Sequence, residues 1–126
     1  MRELNTNVFL SLVRLGIGNT SESIPEIIDW STIKTLADEH GLSAVLLDGI
    51  ELLPEEKRPP KAELLALIGE ILQKYEQRFN AYRNTIAEMA RWYNRRGFKM
   101  MVLKGYACAI NWPKPEHRPC GDIDIW

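Results

Sequence analysis

Cysteine is scarce in this chain. Of 126 residues only Cys108 and Cys120 are cysteines, without C-x-x-C spacing, which excludes a disulfide framework and gives no zinc-site pattern. Charge of one sign is also lacking: the formal net charge is -1, so the broad basic surface of a dedicated nucleic-acid binder is missing. No apolar run approaches the roughly 20 residues needed to cross a bilayer. Near the N-terminus, Asn7 and Arg14 interrupt the apolar residues, so no signal-peptide core forms. Internal repeats and low-complexity segments are absent as well. A soluble, cytoplasmic globular protein with no membrane contact is the expectation. A hydrophobic content of 45% and a charged content of 26% are ordinary for that class, and the length suffices for a core.

What is present is mainly helical. Residues 5–15 predict an amphipathic helix with Val8, Leu12 and Leu15 on one stripe, ended by Gly16 and Gly18. Asp29 is placed to cap a second helix through His40, with Ile33, Leu36 and Ala37 inward and Gly41 as its terminator. Residues 43–53 read as a more apolar third helix, followed by a charged turn between Pro54 and Pro60, with Pro60 at the first position of the next helix. From Lys61 to Arg96, the positions Leu64, Ile68, Ile71, Tyr75, Phe79, Tyr82, Ile86, Met89 and Tyr93 recur at steps of three and four, which predicts one long helix. Leu65, Leu67 and Leu72 predict wider burial in its first half. A helix of that length predicts a bend near Gly69 or Asn80. Its aromatic stripe is read as core packing rather than as a base-stacking platform.

Chemistry concentrates in residues 98–126. Phe98 and Met100 to Leu103 form a short apolar strand closed by Lys104-Gly105, and residues 106–112 have helical composition. Such a strand–turn–helix can turn backbone N–H groups toward a phosphate, with Lys104 as a point charge. Pro113 and Pro115 end the helix, and the chain returns through Arg118, Pro119, Cys120 and Gly121 into Asp122-Ile123-Asp124. Strand alternation puts Asp122 and Asp124 on one face and Ile123 and Ile125 on the other. Two adjacent carboxylates repel unless a cation joins them, and Mg²⁺ and Mn²⁺ prefer carboxylate oxygens. Charge is distributed accordingly. Between Arg91 and Arg118 the basic residues are Arg91, Arg95, Arg96, Lys99, Lys104, Lys114 and Arg118, against Glu116 alone. Of these, Arg91, Arg95 and Arg96 are read rather as solvated complements of a helix C-terminus. Arg118 is read as a phosphate contact or an aspartate partner, and Gly121 as a place where a ligand can approach the backbone. His40 and His117 receive no catalytic role, His117 being read as a surface loop residue. Trp30, Trp92, Trp112 and Trp126 are read as packing anchors, Trp112 near enough to line the site.

The run Leu103-Lys104-Gly105, followed by Arg118-Pro119-x-Gly121-Asp122-Ile123-Asp124, resembles the DNA polymerase beta type nucleotidyltransferase superfamily. Within it, the run resembles the uncharacterised bacterial nucleotidyltransferase branch. The resemblance covers the last quarter of the chain. It implies metal-dependent transfer of a nucleotidyl group from a nucleoside triphosphate to an unknown acceptor, with Asp122 and Asp124 as catalytic metal ligands and Mg²⁺ or Mn²⁺ as cofactor. Lys104, Gly105, Arg118 and Gly121 would face the nucleotide. Many superfamily members carry Gly-Ser at the turn, whereas this chain has Gly105-Tyr106, so a serine contact does not carry over and Lys104 takes its place as a hypothesis. The third carboxylate of the superfamily lies on a later strand, for which this sequence offers no position. The chain therefore reads as a truncated catalytic core, inactive without downstream sequence.

The fold class expected is α+β and mostly helical. A helical region, 1–97, leads into the first strand–helix–strand unit of a nucleotidyltransferase-type sheet, 98–126. Two strands alone are marginal in water, which predicts self-association through the C-terminal strand. A nucleotide-sugar-dependent glycosyltransferase, which also holds manganese with Asp-x-Asp, is the rival enzyme, and a non-catalytic helical interaction module is the rival outside enzymes.

Overall fold

The structure, a computed structural model, describes residues 2–19 and 21–126. Six α-helices are seen among them: α1 Arg2–Gly16, α2 Trp30–His40, α3 Ser43–Glu51, α4 Lys61–Ile71, α5 Gln77–Asn94 and α6 Gly105–Ala109. Two short strands, β1 Val102–Leu103 and β2 Asp124–Ile125, pair antiparallel. The fold is α+β and mostly helical. By packing, the chain divides into two compact units, residues 1–71 and 72–126. The division proposed from the sequence, after Gly97, separates a helical region from a catalytic core; the packing division instead groups α5 with the strands.

In the first unit, local signals govern the helix ends. Asp29 accepts from the Thr32 backbone N–H at 3.2 Å and from its hydroxyl at 2.6 Å. These bonds satisfy an orphan donor of the first turn of α2 and hold the Asp29 carboxyl below the ordinary carboxylate pKa, the side-chain bond contributing most. Gly41 closes α2 in the left-handed conformation, φ 65°. Arg58 serves α3 in the same way from a distance in sequence, donating to the Leu53 carbonyl at 2.9 Å and the Glu51 carbonyl at 2.8 Å, where a cation also suits the helix dipole. The helix expected to run to Leu53 thus stops at Glu51. Pro60 stands just before α4, its carbonyl accepting from Leu64 at 3.0 Å.

The core of this unit draws Phe9 and Leu12 from α1, Ile33 and Ala37 from α2, Val45, Leu46 and Ile50 from α3, and Leu67 and Ile71 from α4. Each large side chain buried this way contributes about 1.5–3 kcal/mol. Backbones of α1 and α3 touch where two glycines meet: a Cβ on Gly49 would lie 2.2 Å from the Leu12 carbonyl oxygen, and one on Gly16 would lie 2.3 Å from that of Val45. Gly16 is therefore a contact residue as well as the end of α1. Lys34 ties α2 to α4 through Glu70 at 2.9 Å. Burial works against its charge, but the hydrogen bonds to Asp38 and Glu70 outweigh that and hold Lys34 above the ordinary lysine pKa.

Wider burial around Leu65 and Leu72 does not occur. Leu65, Ile68 and Leu72 are exposed, and Leu67 is the buried leucine there. Residues 72–76 form a π-helical turn, which adds a residue to the turn and rotates the side chains after it, so a stripe at regular α-helical steps does not continue unbroken into α5. In the second unit, Phe79 and Ile86 of α5 are buried. Phe79, Ala109 and Cys120 make a small core, with Tyr82 and Tyr106 packed against it and the Phe79 and Tyr106 rings stacked at 5.1 Å. The aromatic stripe is thus packing at its centre.

Candidate active site

β1 is short, and the chain leaves it through an unusual residue. Lys104 has φ 52° and ψ -126°, a conformation that glycine adopts freely and a side chain does not. It starts α6, and Cys108 N–H bonds back to the Lys104 carbonyl at 2.6 Å. The N–H groups of Gly105, Tyr106 and Ala107 open the helix, where no intrahelical acceptor exists for them. Five residues of helix carry little dipole, so the turn offers these donors and the lysine charge rather than a strong macrodipole.

The return strand is set by register. Val102 pairs with Ile125 and Leu103 with Asp124, and Met101 and Trp126 exchange both backbone hydrogen bonds, at 2.9 and 2.8 Å. Pairing Asp124 with Leu103 puts its carboxylate beside the next residue, Lys104, whose Nζ lies 3.9 Å from Asp124 Oδ2. Asp122 falls outside the strand, which is shorter than the sequence pattern expects, and is exposed. No ion pair joins it to another described residue. Asp124 is half-buried.

The Lys104–Asp124 pair is not there for stability. Lys104 is 77% exposed, and exposed pairs contribute about 0–1 kcal/mol. Its backbone costs about 1–3 kcal/mol. The local balance is unfavourable.

Arg118 stands against the turn: its Nη1 is 3.4 Å from where a Cβ on Gly105 would be. It donates to the Pro119 carbonyl at 3.2 Å and lies 5.9 Å from the centre of the Trp112 ring. It pairs with neither aspartate. Gly121 is open, a Cβ there meeting nothing, and its carbonyl accepts from Tyr82 Oη at 3.0 Å. Lys104, Gly105, Arg118 and Asp124 are thus neighbours, while Asp122 and Gly121 lie on the approach to β2.

His117 differs from the expectation of a surface loop residue. It is 3% exposed, and its Nε2 lies 2.8 Å from Glu76 Oε1. Pro115 opens the 3-10 turn Pro115–His117, which carries the imidazole inward. Glu76, Glu116 and His117 bring ligand atoms within 4.8 Å of one another. The direct His117–Glu76 bond pairs the buried imidazole with a carboxylate, which is the behaviour of a structural clasp. No local run of residues announces the pair, because Glu76 and His117 are 41 residues apart.

Two carboxylates separated by one residue are hard oxygen donors suited to Mg²⁺ or Mn²⁺. No third metal-ligating side chain joins them among the described residues. Of the two, Asp124 stands beside Lys104 and the start of α6, and Asp122 is exposed on the approach to β2. No curated protein and no solved structure matches the chain. A family described as uncharacterised nucleotidyltransferase matches residues 26–126. That span runs from before α2 through the Lys104 turn and both aspartates, and the chain belongs to this nucleotidyltransferase family.

Proposed function

We propose that this chain carries the nucleotide-binding part of a DNA polymerase beta type nucleotidyltransferase, which moves a nucleotidyl group from a nucleoside triphosphate to an acceptor. The observation that carries this is the register pairing of Leu103 with Asp124, which brings a carboxylate beside the strained Lys104 turn. Asp122 and Asp124 hold the divalent cation. When bound, Mg²⁺ or Mn²⁺ supplies charge to the phosphates and to the attacking oxygen. The N–H groups that open α6 donate to phosphate oxygens. Lys104 exchanges its weak carboxylate contact for the triphosphate, which carries more charge. Arg118, beside Gly105, adds a second cation to the same face.

Calorimetric titration with nucleoside triphosphates and with nucleotide sugars, each with Mg²⁺ or Mn²⁺, tests the assignment. Binding of a triphosphate is expected, and Asp122→Asn or Asp124→Asn should each weaken it at least about tenfold while the melting temperature stays put. Nucleotide sugars binding in its place would substitute a glycosyltransferase. Binding of neither would return a helical interaction module.

A further inference from the structure

A cavity of about 450 Å³ opens in the second unit between the π-helical turn, the start of α5 and the loop that leads to β2. Lys74, Tyr75, Arg78, Phe79, Arg118 and Cys120 line it. Three of these are cations, and no acidic residue lines the cavity. Its floor is apolar, since Phe79 and Cys120 are buried, which lowers the local dielectric and strengthens any charge interaction above it.

Both arginines are held in place. Arg78 Nε and Nη2 donate to Tyr82 Oη at 3.1 and 2.9 Å, and its guanidinium lies 5.4 Å from the centre of that ring. Arg118 is held by the Pro119 carbonyl at 3.2 Å. A guanidinium carries five N–H donors, so each keeps donors for a ligand. Planar forks of this kind fit the oxygens of a phosphate in pairs. The cavity falls within the usual size of small-molecule sites, about 300–1,000 Å³.

Neither Lys104 nor the two aspartates line this cavity, yet it touches the proposed active site at two points. Arg118 borders Gly105. Tyr82 receives Arg78 and donates to the carbonyl of Gly121, the residue before Asp122.

We infer that this cavity is an oxyanion pocket for a phosphate-bearing small molecule, held by Arg78 and Arg118 and occupied without a divalent cation. The inference shares Arg118 with the proposed nucleotide site but does not need the metal chemistry proposed there. Titration of the chain with inorganic pyrophosphate in EDTA at low salt tests it. Saturable binding is expected, weakened about tenfold in Arg78→Gln and in Arg118→Gln and progressively by added salt, with the far-ultraviolet circular dichroism and melting temperature of each variant recorded. Should Arg78→Gln unfold by losing its hold on Tyr82, Arg118→Gln and Lys74→Gln carry the comparison.

Absence of binding, or binding indifferent to these substitutions in folded protein, overturns the inference. A chain that fails to bind nucleoside triphosphate with magnesium but binds pyrophosphate in EDTA sinks only the proposed function. Where both bind, displacement of pyrophosphate by the triphosphate identifies the phosphate as the nucleotide's own. Simultaneous binding identifies it as a second ligand's.

Discussion

At the scale of single residues, Lys104 decides most. Its φ of 52° is tolerated in glycine at no steric cost, and the exposed contact with Asp124 returns less than the strain takes. Lys104→Gly should therefore raise stability by about 1 kcal/mol, read from chemical denaturation, while weakening triphosphate binding. Lys104→Ala keeps the strain and loses the charge, so it should weaken binding equally without stabilising. A glycine variant less stable than the parent would show that the lysine is there for the fold. Asp29 and Gly41 were legible as caps because capping is a local matter of three or four residues. Lys104 was legible as a charge beside a glycine, but not as the residue that takes the unusual backbone angles.

At the scale of elements, the crossing of α1 and α3 is the tightest feature of the first unit. Gly49→Ala would drive a methyl group into the Leu12 carbonyl, and the helices must part, at a cost of about 1–3 kcal/mol. Gly69 lies inside α4, where an added Cβ meets nothing. Gly69→Ala should stabilise by up to about 1 kcal/mol. Thermal melts of the two variants should move in opposite directions, and a stabilised Gly49→Ala would refute the close crossing. Both glycines sit in helical sequence, and composition cannot tell them apart. The difference lies in what faces them. The π-helical turn at 72–76 has the same character: no residue type announces it, and it shifts the periodic pattern of the residues that follow.

At the scale of the whole molecule, large apolar side chains remain uncovered. Phe98, Met101 and Trp126 are exposed, Trp126 to 85%. Met101 and Trp126 are partners in the ladder, and Phe98 and Trp126 line one depression of about 310 Å³. A two-stranded sheet with such neighbours gains by burying them. We expect reversible, concentration-dependent self-association in sedimentation velocity, abolished by Trp126→Asp. A monomer at every concentration would remove this expectation. No described helix is long and apolar enough to cross a membrane.

The sequence by itself determined the helical character, the caps of α2, the strand–turn–helix around Lys104-Gly105 and the family resemblance of the Asp122-x-Asp124 segment. Each of these is written in residues within a few positions of one another, where backbone preference and short hydrogen bonds act directly. Only the tertiary structure decided that Asp124 stands beside Lys104 while Asp122 lies outside the strand, that His117 is buried against Glu76, and that Arg78 and Arg118 share a cavity. Those outcomes depend on which distant segments pack together, and that choice follows from shape and burial summed over the fold rather than from any local run of residues.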